Sequence, residues 1–241
     1  MREDFISLGL KKDDVVLMHS SLSSLGYVEG GADTIIDTLL DVLAEGTLLI
    51  PSLTYSIVTE ENPKFIQGET PTCIGKISNV FLKREGVIRS LHPTHSVCGI
   101  GKYAEEILSQ HILTDTPAGA LSPFGLLPKY NGKILMLGCG LEPNTSMHAI
   151  EEVTQPWYLL KSQPTVFTLV DYEKNAVQKS YKCHDFEKVA RQRYDRLEML
   201  MPVDKGNVLQ ATAYLIDAKK MWEVAVPKLE EDEIFFVDLK E

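Results

Sequence analysis

Residues 14–20 read DVVLMHS, residues 30–46 read GGADTIIDTLLDVLAEG, and residues 47–56 read TLLIPSLTYS. The first is a short β-branched and apolar run, the pattern of a buried strand. In the second, Ile35, Ile36, Leu39, Leu40 and Leu43 recur at helical spacing, and Gly46 closes the run. The third is another apolar run, ended by Pro51 or soon after. Strand, helix and strand with short connections make a βαβ unit, which predicts parallel strands joined by a right-handed crossover.

The pattern continues outward from this unit. Residues 57–79 are polar and hold Pro63 and Pro71, so they read as a long loop over one face. ISNVFLKREG (77–86) reads as a helix, SVCGIGKYAEEILSQH (96–111) as a strand edge followed by a helix, and GKILMLGCG (132–140) as a buried strand flanked by glycines. Helical character resumes near Thr145. In the last third, PTVFTLVDYEKNAVQKSYKCH (164–184) predicts a hairpin turning at Lys174-Asn175. DFEKVARQRYDRLEMLM (185–201) and LQATAYLIDAKKMWEVAVPKL (209–229) predict helices, and EIFFVDL (233–239) a final strand. The fold class is α/β, layered α/β/α around a central mixed, partly parallel sheet. One domain over residues 1–241 is expected, with about 160–241 as a candidate C-terminal subdomain.

The chain has 241 residues, 44% hydrophobic and 24% charged, with 16 glycines and 12 prolines, enough for one substantial core in a soluble globular protein. No apolar run approaches the ~20 residues of a membrane span. The opening MREDFISLGLKKDD carries charges where a signal peptide would be apolar, so a cytoplasmic protein is expected. Cys73, Cys98, Cys139 and Cys183 are scattered with no C-x-x-C pair, which argues against a disulfide framework and a cysteine-rich zinc site. A net charge of −10 disfavours a nucleic-acid surface and suits a cationic substrate.

Four polar stretches carry candidate chemistry. In GLEPNTSMHAIEE (140–152), Asn144 or Thr145 can cap a helix, so His148 falls near its third position. Glu151 and Glu152 follow three and four residues later on the same face. The positive end of a helix favours neutral imidazole, and a neutral imidazole beside a carboxylate is what a general base requires. A capped surface helix with acidic early turns fits the same spacing. In LMHSSLSSLG (17–26), His19, Ser20 and Ser21 directly follow a buried strand, where open α/β sheets hold their ligands. The alternative there is a plain turn capped by a serine.

RSLHPTHSVCGIG (89–101) sets His92 and His95 around Pro93, but no third metal ligand is nearby. Residues 99–104 formally match G-x-G-x-x-A without the long preceding strand or the acidic residue that a dinucleotide site needs, so the match reads as chance. TPAGALSPFGLL (116–127) reads locally as a connecting loop. The chain lacks a G-x-S-x-G elbow, a G-x-x-x-x-G-K-[ST] phosphate loop and an H-E-x-x-H motif.

Taken together and in order, HSSLSSLGYVEGGADTIIDTLL, GTLLIPSLTYS, RSLHPTHSVCGIG, TPAGALSPFGLL and GKILMLGCGLEPNTSMHAIEE resemble the aminoglycoside 3-N-acetyltransferase family, from about Leu8 to the C-terminus. The resemblance implies transfer of an acetyl group from acetyl-CoA to an amine by general-base catalysis and direct attack, without a metal. It also implies an α/β fold distinct from the GNAT fold of the common small N-acetyltransferases, whose R/Q-x-x-G-x-G/A loop is absent here. His148 matches the histidine of the family's T-x-x-H-x-x-E stretch and would be the base, with Glu151 as its orienting acid. His19 is implied as a further active-site member. Ser20, Ser21, Leu22, Ser96, Val97 and Ser122 match regions that line the CoA channel.

The acceptor implied is a small, cationic amine: an aminoglycoside, as in antibiotic resistance, or a related amino sugar. No nucleic-acid or membrane partner is expected. His184 and Asp185 could face that amine or start a helix, and the helix start is the reading adopted. The competing functions are an acyl-CoA thioesterase or hydrolase using His148 and Glu151 on water, and a non-catalytic CoA-binding protein.

Overall fold

The βαβ unit expected from residues 14–56 is the centre of the molecule. The computed structural model describes residues 1–240. Helix α1 (Arg2–Leu8) leads into β1 (Val15–Ser20), and α2 (Ala32–Val42) connects it to β2 (Thr47–Pro51). β1 and β2 pair in parallel, with Val16 opposite Leu48 and Leu17 opposite Leu49. Next come β3 (Lys64–Ile66), α3 (Lys76–Phe81), β4 (Ile88–Arg89), β5 (Val97–Gly101), α4 (Ala104–Leu108), α5 (Pro123–Leu126), β6 (Lys133–Leu137) and α6 (Ser146–Thr154). The last third holds β7 (Thr165–Val170), β8 (Ala176–Tyr181), β9 (Val189–Gln192), β10 (Asp204–Val208), β11 (Ala211–Asp217), α7 (Ala218–Glu231) and β12 (Val237–Leu239).

Seven strands form one mixed sheet in the order β10-β11-β6-β1-β2-β5-β4. Its middle, β6-β1-β2, is parallel, and the flanking strands are antiparallel. Both faces are covered, which is why β1 reads as an unbroken apolar run. Side chains alternate across the sheet. Val15, Leu17, Leu49, Ile134 and Met136 pack under α4 to α7, whereas Val16, Met18, Leu48, Ile50, Leu135 and Leu137 pack under α1 to α3. His19 continues the odd series of β1 and therefore lies on the α6 side.

Two small sheets stand beside this sandwich. One, β3-β7-β8, contains the expected hairpin, with Lys174 at φ 68 in its turn and Phe65, Phe167, Leu169 and Tyr181 in its core. The other pairs β9 with β12 over Tyr158 and Leu159.

Several expected elements differ. Residues 185–201 are not a helix: they form β9, whose Val189, Arg191 and Gln192 pair with β12, and a 3-10 turn at Tyr194–Met199 that buries Tyr194. Residues 209–229 split. ATAYLID alternates in burial and joins β6 as strand β11, and Asp217 then caps α7 by accepting from the Lys220 amide at 3.0 Å. The 57–79 segment contains β3 and the start of α3, and the 116–127 loop ends in α5, capped by Ser122. His184 and Asp185 start no helix, since His184 forms a lone antiparallel bridge with Leu160.

Candidate active site

The site lies where the C-terminal ends of the parallel strands open, the place an α/β sheet offers a ligand. At the end of β6 the chain leaves the sheet through Gly138, at φ +72, where a Cβ would lie 2.4 Å from Ser24 Oγ. Ser24 Oγ donates to the Gly138 carbonyl at 2.6 Å, tying the serine turn after β1 to the end of β6.

α6 starts soon after. Asn144 is its side-chain cap: Oδ1 accepts from the Ser146 amide at 3.1 Å, while Thr145 makes no side-chain cap bond. His148 is the third residue of the helix, as its spacing predicted. The surface-helix alternative is excluded, because every residue from Ser146 to Glu152 is buried.

His148 Nδ1 donates to Glu151 Oε2 at 2.7 Å. Tyr194 Oη donates to the same oxygen at 2.8 Å and lies 2.9 Å from His148 Nδ1. Tyr158 Oη donates to the other oxygen, Oε1, at 3.0 Å. Glu151 is fully buried, so it depends on these donors. Burial, followed by the Glu151 charge, pushes the Tyr194 and Tyr158 hydroxyls well above the ordinary phenol range, so both remain donors. With Nδ1–H committed to Glu151, a neutral His148 carries its lone pair on Nε2.

Glu152 serves a different ring. His184 Nε2 donates to Glu152 Oε1 at 2.8 Å, the Ala118 amide donates to the same oxygen at 2.7 Å, and Thr116 Oγ1 donates to Oε2. Burial raises the Glu152 carboxyl to about 7 against those hydrogen bonds. The His184 ring lies 4.6 Å from that of His148 and 4.9 Å from that of His95. Burial first, then His148, holds His19 down at about 3.

A cavity of about 670 Å³ opens over these groups, with His19, Ser20, His95, His148, His184 and Tyr194 in its wall. Glu60, Glu61, Glu142 and Lys161 also line it. Glu142 is paired with Arg191, so it is already partly neutralised.

Sequence-based candidates fare unevenly. His148, Glu151 and His19 come together, and Ser20 reaches the cavity. Ser21 and Leu22 are half-buried in the adjacent turn. Ser96, Val97 and Ser122 are sealed in the interior. Ser96 Oγ accepts from Arg89 Nε and donates to the Ser52 carbonyl, Val97 is core, and Ser122 caps α5. The burial seen here leaves those three in the supporting wall.

His92 does not face a ligand: its Nδ1 accepts from the Thr94 and His95 amides and its ring stacks on His111 at 4.4 Å. Among the described residues no group of three or more His, Cys, Asp or Glu is placed to hold a metal. The G-x-G-x-x-A match falls on β5, which is antiparallel to β2, so it opens no βαβ unit. Tyr158, Tyr194 and the Glu152–His184 pair were missed. Tyr194 and His184 reach α6 from distant sequence, and Tyr158 folds back onto it from just beyond its C-terminal end, so local spacing points to none of the three.

The model of the family described as aminoglycoside 3-N-acetyltransferase matches residues 17–230. The aminoglycoside N(3)-acetyltransferase IX of Micromonospora chalcea is 30% identical over 263 aligned positions, covering 95% of this chain and 92% of that protein. A Bacillus subtilis prophage-derived aminoglycoside N(3')-acetyltransferase-like protein, YokD, is 36% identical over 170 residues, a match spanning only 62% of either chain. Its crystal structure nonetheless superposes over 96% of this chain and 97% of its own with a TM-score of 0.77. A histidine-to-alanine mutant of AAC(3)-IVa in complex with a gentamicin gives a TM-score of 0.81 at 25% identity, covering 98% and 88%. By sequence and by fold, the chain belongs to the aminoglycoside 3-N-acetyltransferase family.

Proposed function

We propose that this protein transfers the acetyl group of acetyl-CoA to a primary amine of an aminoglycoside or related amino sugar, with His148 as general base. The observation that carries the reading is the buried His148–Glu151 pair at 2.7 Å under an open cavity. The acceptor nitrogen attacks the thioester carbonyl, and the new C–N bond forms as the C–S bond breaks. His148 Nε2 takes a proton from that nitrogen and returns it to the departing thiolate sulfur. Glu151 fixes the tautomer and balances the imidazolium formed in between, with Tyr194 and Tyr158 holding it in place.

His19 borders the base as an uncharged neighbour, and Ser20, Ser21 and Leu22 at the end of β1 are assigned to the CoA side. Glu60 and Glu61 at the cavity suit a cationic acceptor, as does the net charge of −10. That a relative holds a gentamicin supports the acceptor class. The thioesterase alternative has no support in the family match. Residues 1–241 are assigned to one working domain, because β11 and α7 from the last third complete the central sheet and its cover. No helix among the described residues is long and apolar enough to cross a membrane, and a cytoplasmic site of action fits the substrate.

The test follows free thiol from acetyl-CoA with gentamicin, with a simple amino sugar and with no amine. Thiol release only with an amine, lost in His148→Ala, is expected. Release without an amine, or a fully active His148→Ala enzyme, overturns the reading.

A further inference from the structure

Two carboxylate–imidazole pairs sit side by side, and the chemistry proposed above uses only one. Glu151 and Glu152 are neighbours on α6, yet Glu151 holds His148 Nδ1 and Glu152 holds His184 Nε2. Glu152, Thr116 and Ala118 lie behind the cavity wall, whereas His184 is part of it. The Nε2 edge of His184 is therefore turned to the wall. A neutral imidazole has a single N–H. With that proton on Nε2, Nδ1 carries a bare lone pair, and this buried atom has no hydrogen-bond partner. A buried acceptor without a donor is rare enough to require a reason. His148 likewise commits one nitrogen to a carboxylate, its Nδ1 donating to Glu151, which leaves Nε2 as its free acceptor. The two rings are 4.6 Å apart between centroids.

We propose that His184 is an acceptor-binding residue, whose Nδ1 receives one N–H of the attacking primary amine while His148 Nε2 receives the other. The proposal rests on the transferase reading above. A neutral primary amine has two N–H bonds and one lone pair. Fixing both hydrogens leaves the lone pair as the free direction, ready for the thioester carbonyl, which is catalysis by orientation. The two imidazoles then divide the work. The proton on the His148 side leaves nitrogen for His148 and ends on the thiolate sulfur; the proton on the His184 side stays behind as the N–H of the product amide. Burial, and His148 beside it, hold His184 well below the ordinary imidazole range, which suits a group that accepts a hydrogen bond without taking the proton. Glu152 keeps the bare nitrogen on the correct side of the ring. Selectivity follows: a secondary amine has one N–H and must give up one anchor.

The test compares unaltered enzyme with His184→Phe, which keeps an aromatic ring against His148 and Phe186 and removes the lone pair. The acceptors are sisomicin and sisomicin N-methylated at the reacting amine. For His184→Phe, kcat/KM with sisomicin is expected to fall about tenfold or more, the worth of one such hydrogen bond. KM for acetyl-CoA should stay unchanged, and the preference for the primary amine should collapse. An unchanged preference, or an equal loss with both acceptors, overturns the proposal even if activity drops. Nitrogen-15 NMR of histidine-labelled unaltered enzyme reads the same contact without a mutation. The His184 Nδ1 resonance should move on saturation with sisomicin, and a stationary signal overturns the proposal should the variant fail to fold. If the unaltered enzyme releases no thiol with these acceptors, with gentamicin or with the simple amino sugar, the transferase reading falls first and this proposal with it.

Discussion

Tyr194 Oη lies 2.8 Å from Glu151 Oε2 and so shares one carboxylate oxygen with His148. The tyrosine comes from the 3-10 turn after β9, and the acidic and basic partners come from α6. Its hydroxyl is thus the link by which the C-terminal third fixes the orientation of the base. Tyr194→Phe removes that link and leaves Glu151 with His148 and Tyr158. A loss of about 1 kcal/mol in stability is expected from one buried hydrogen bond. A fall in kcat of about tenfold, with KM for acetyl-CoA unchanged, should accompany it. Steady-state kinetics beside urea unfolding separate the two effects, and an unaltered kcat would show that Tyr194 supports only the fold.

Glu151→Gln keeps the shape and tests the charge. An amide oxygen still accepts from His148 Nδ1 and Tyr194, and the Tyr158 hydroxyl can turn to accept from the amide nitrogen, so folding should survive with a loss of about 1 kcal/mol. The positive charge formed on His148 during transfer loses its buried counter-charge. A fall in kcat of about 100-fold is expected. Activity within about twofold of the unaltered enzyme would remove Glu151 from the catalytic account.

Arg89 is a buried cation with no carboxylate beside it. Its guanidinium donates to Ser96 Oγ at 2.9 Å, to the Ser52 carbonyl at 2.8 Å and to the Thr70 and Gln67 carbonyls, and it lies 4.8 Å from the Phe65 ring centre. Burial lowers its proton affinity, but the surrounding acceptors accommodate the charge. Through it the strand ending at Pro51, the 67–70 turn and β4 share one anchor. Arg89→Met takes the guanidinium from the part-buried Thr70 and Gln67 carbonyls and from Ser96 Oγ, and should cost about 3 kcal/mol. Arg89→Lys, with fewer donors and no fork, should recover less than half of that. A denaturation midpoint unchanged in Arg89→Met would contradict this.

The parts legible in the sequence are those governed by short-range pattern. The β1-α2-β2 unit, the buried β6 strand and the 164–184 hairpin each carry their own periodicity and turn residues, and each formed as expected. His148 and Glu151 were readable because both lie on one helical face three residues apart. The misreadings occur where tertiary pairing overrides local propensity. ATAYLID was read as helix, yet its alternation is satisfied only beside β6. VARQ finds its partner in β12, nearly fifty residues later. Tyr194 was invisible for the same reason, and so was the pairing of His184 with Glu152: both act on α6 across long sequence separations. Which of Glu151 and Glu152 serves His148 was also beyond the sequence, since side-chain direction at consecutive positions depends on what waits on each side of the helix.

Acid should unfold this protein through its histidines. Five of the six histidines are buried, and the side chain of the sixth, His184, is only 3% exposed. Five of them, His19, His92, His95, His111 and His184, are held below the ordinary imidazole value mainly by burial, with His19 and His111 at about 3. The unfolded chain takes up protons on these groups as pH falls through about 6.5, whereas the folded chain must wait until far lower pH. More protons on the unfolded state mean that stability falls on acidification, by up to about 1.4 kcal/mol per group for each pH unit in that window. Glu152 acts in the opposite sense. Its folded carboxyl, raised to about 7, binds a proton while an unfolded one does not, so between about pH 7 and 4.5 acid favours the fold at that position. One carboxylate against five imidazoles leaves a net loss. The urea midpoint should therefore be highest near neutrality or above and drop steeply between about pH 6.5 and 5, with the drop steeper in Glu152→Gln because the opposing contribution is gone. A midpoint flat across that range would mean that the histidine cluster opens to water before the chain unfolds.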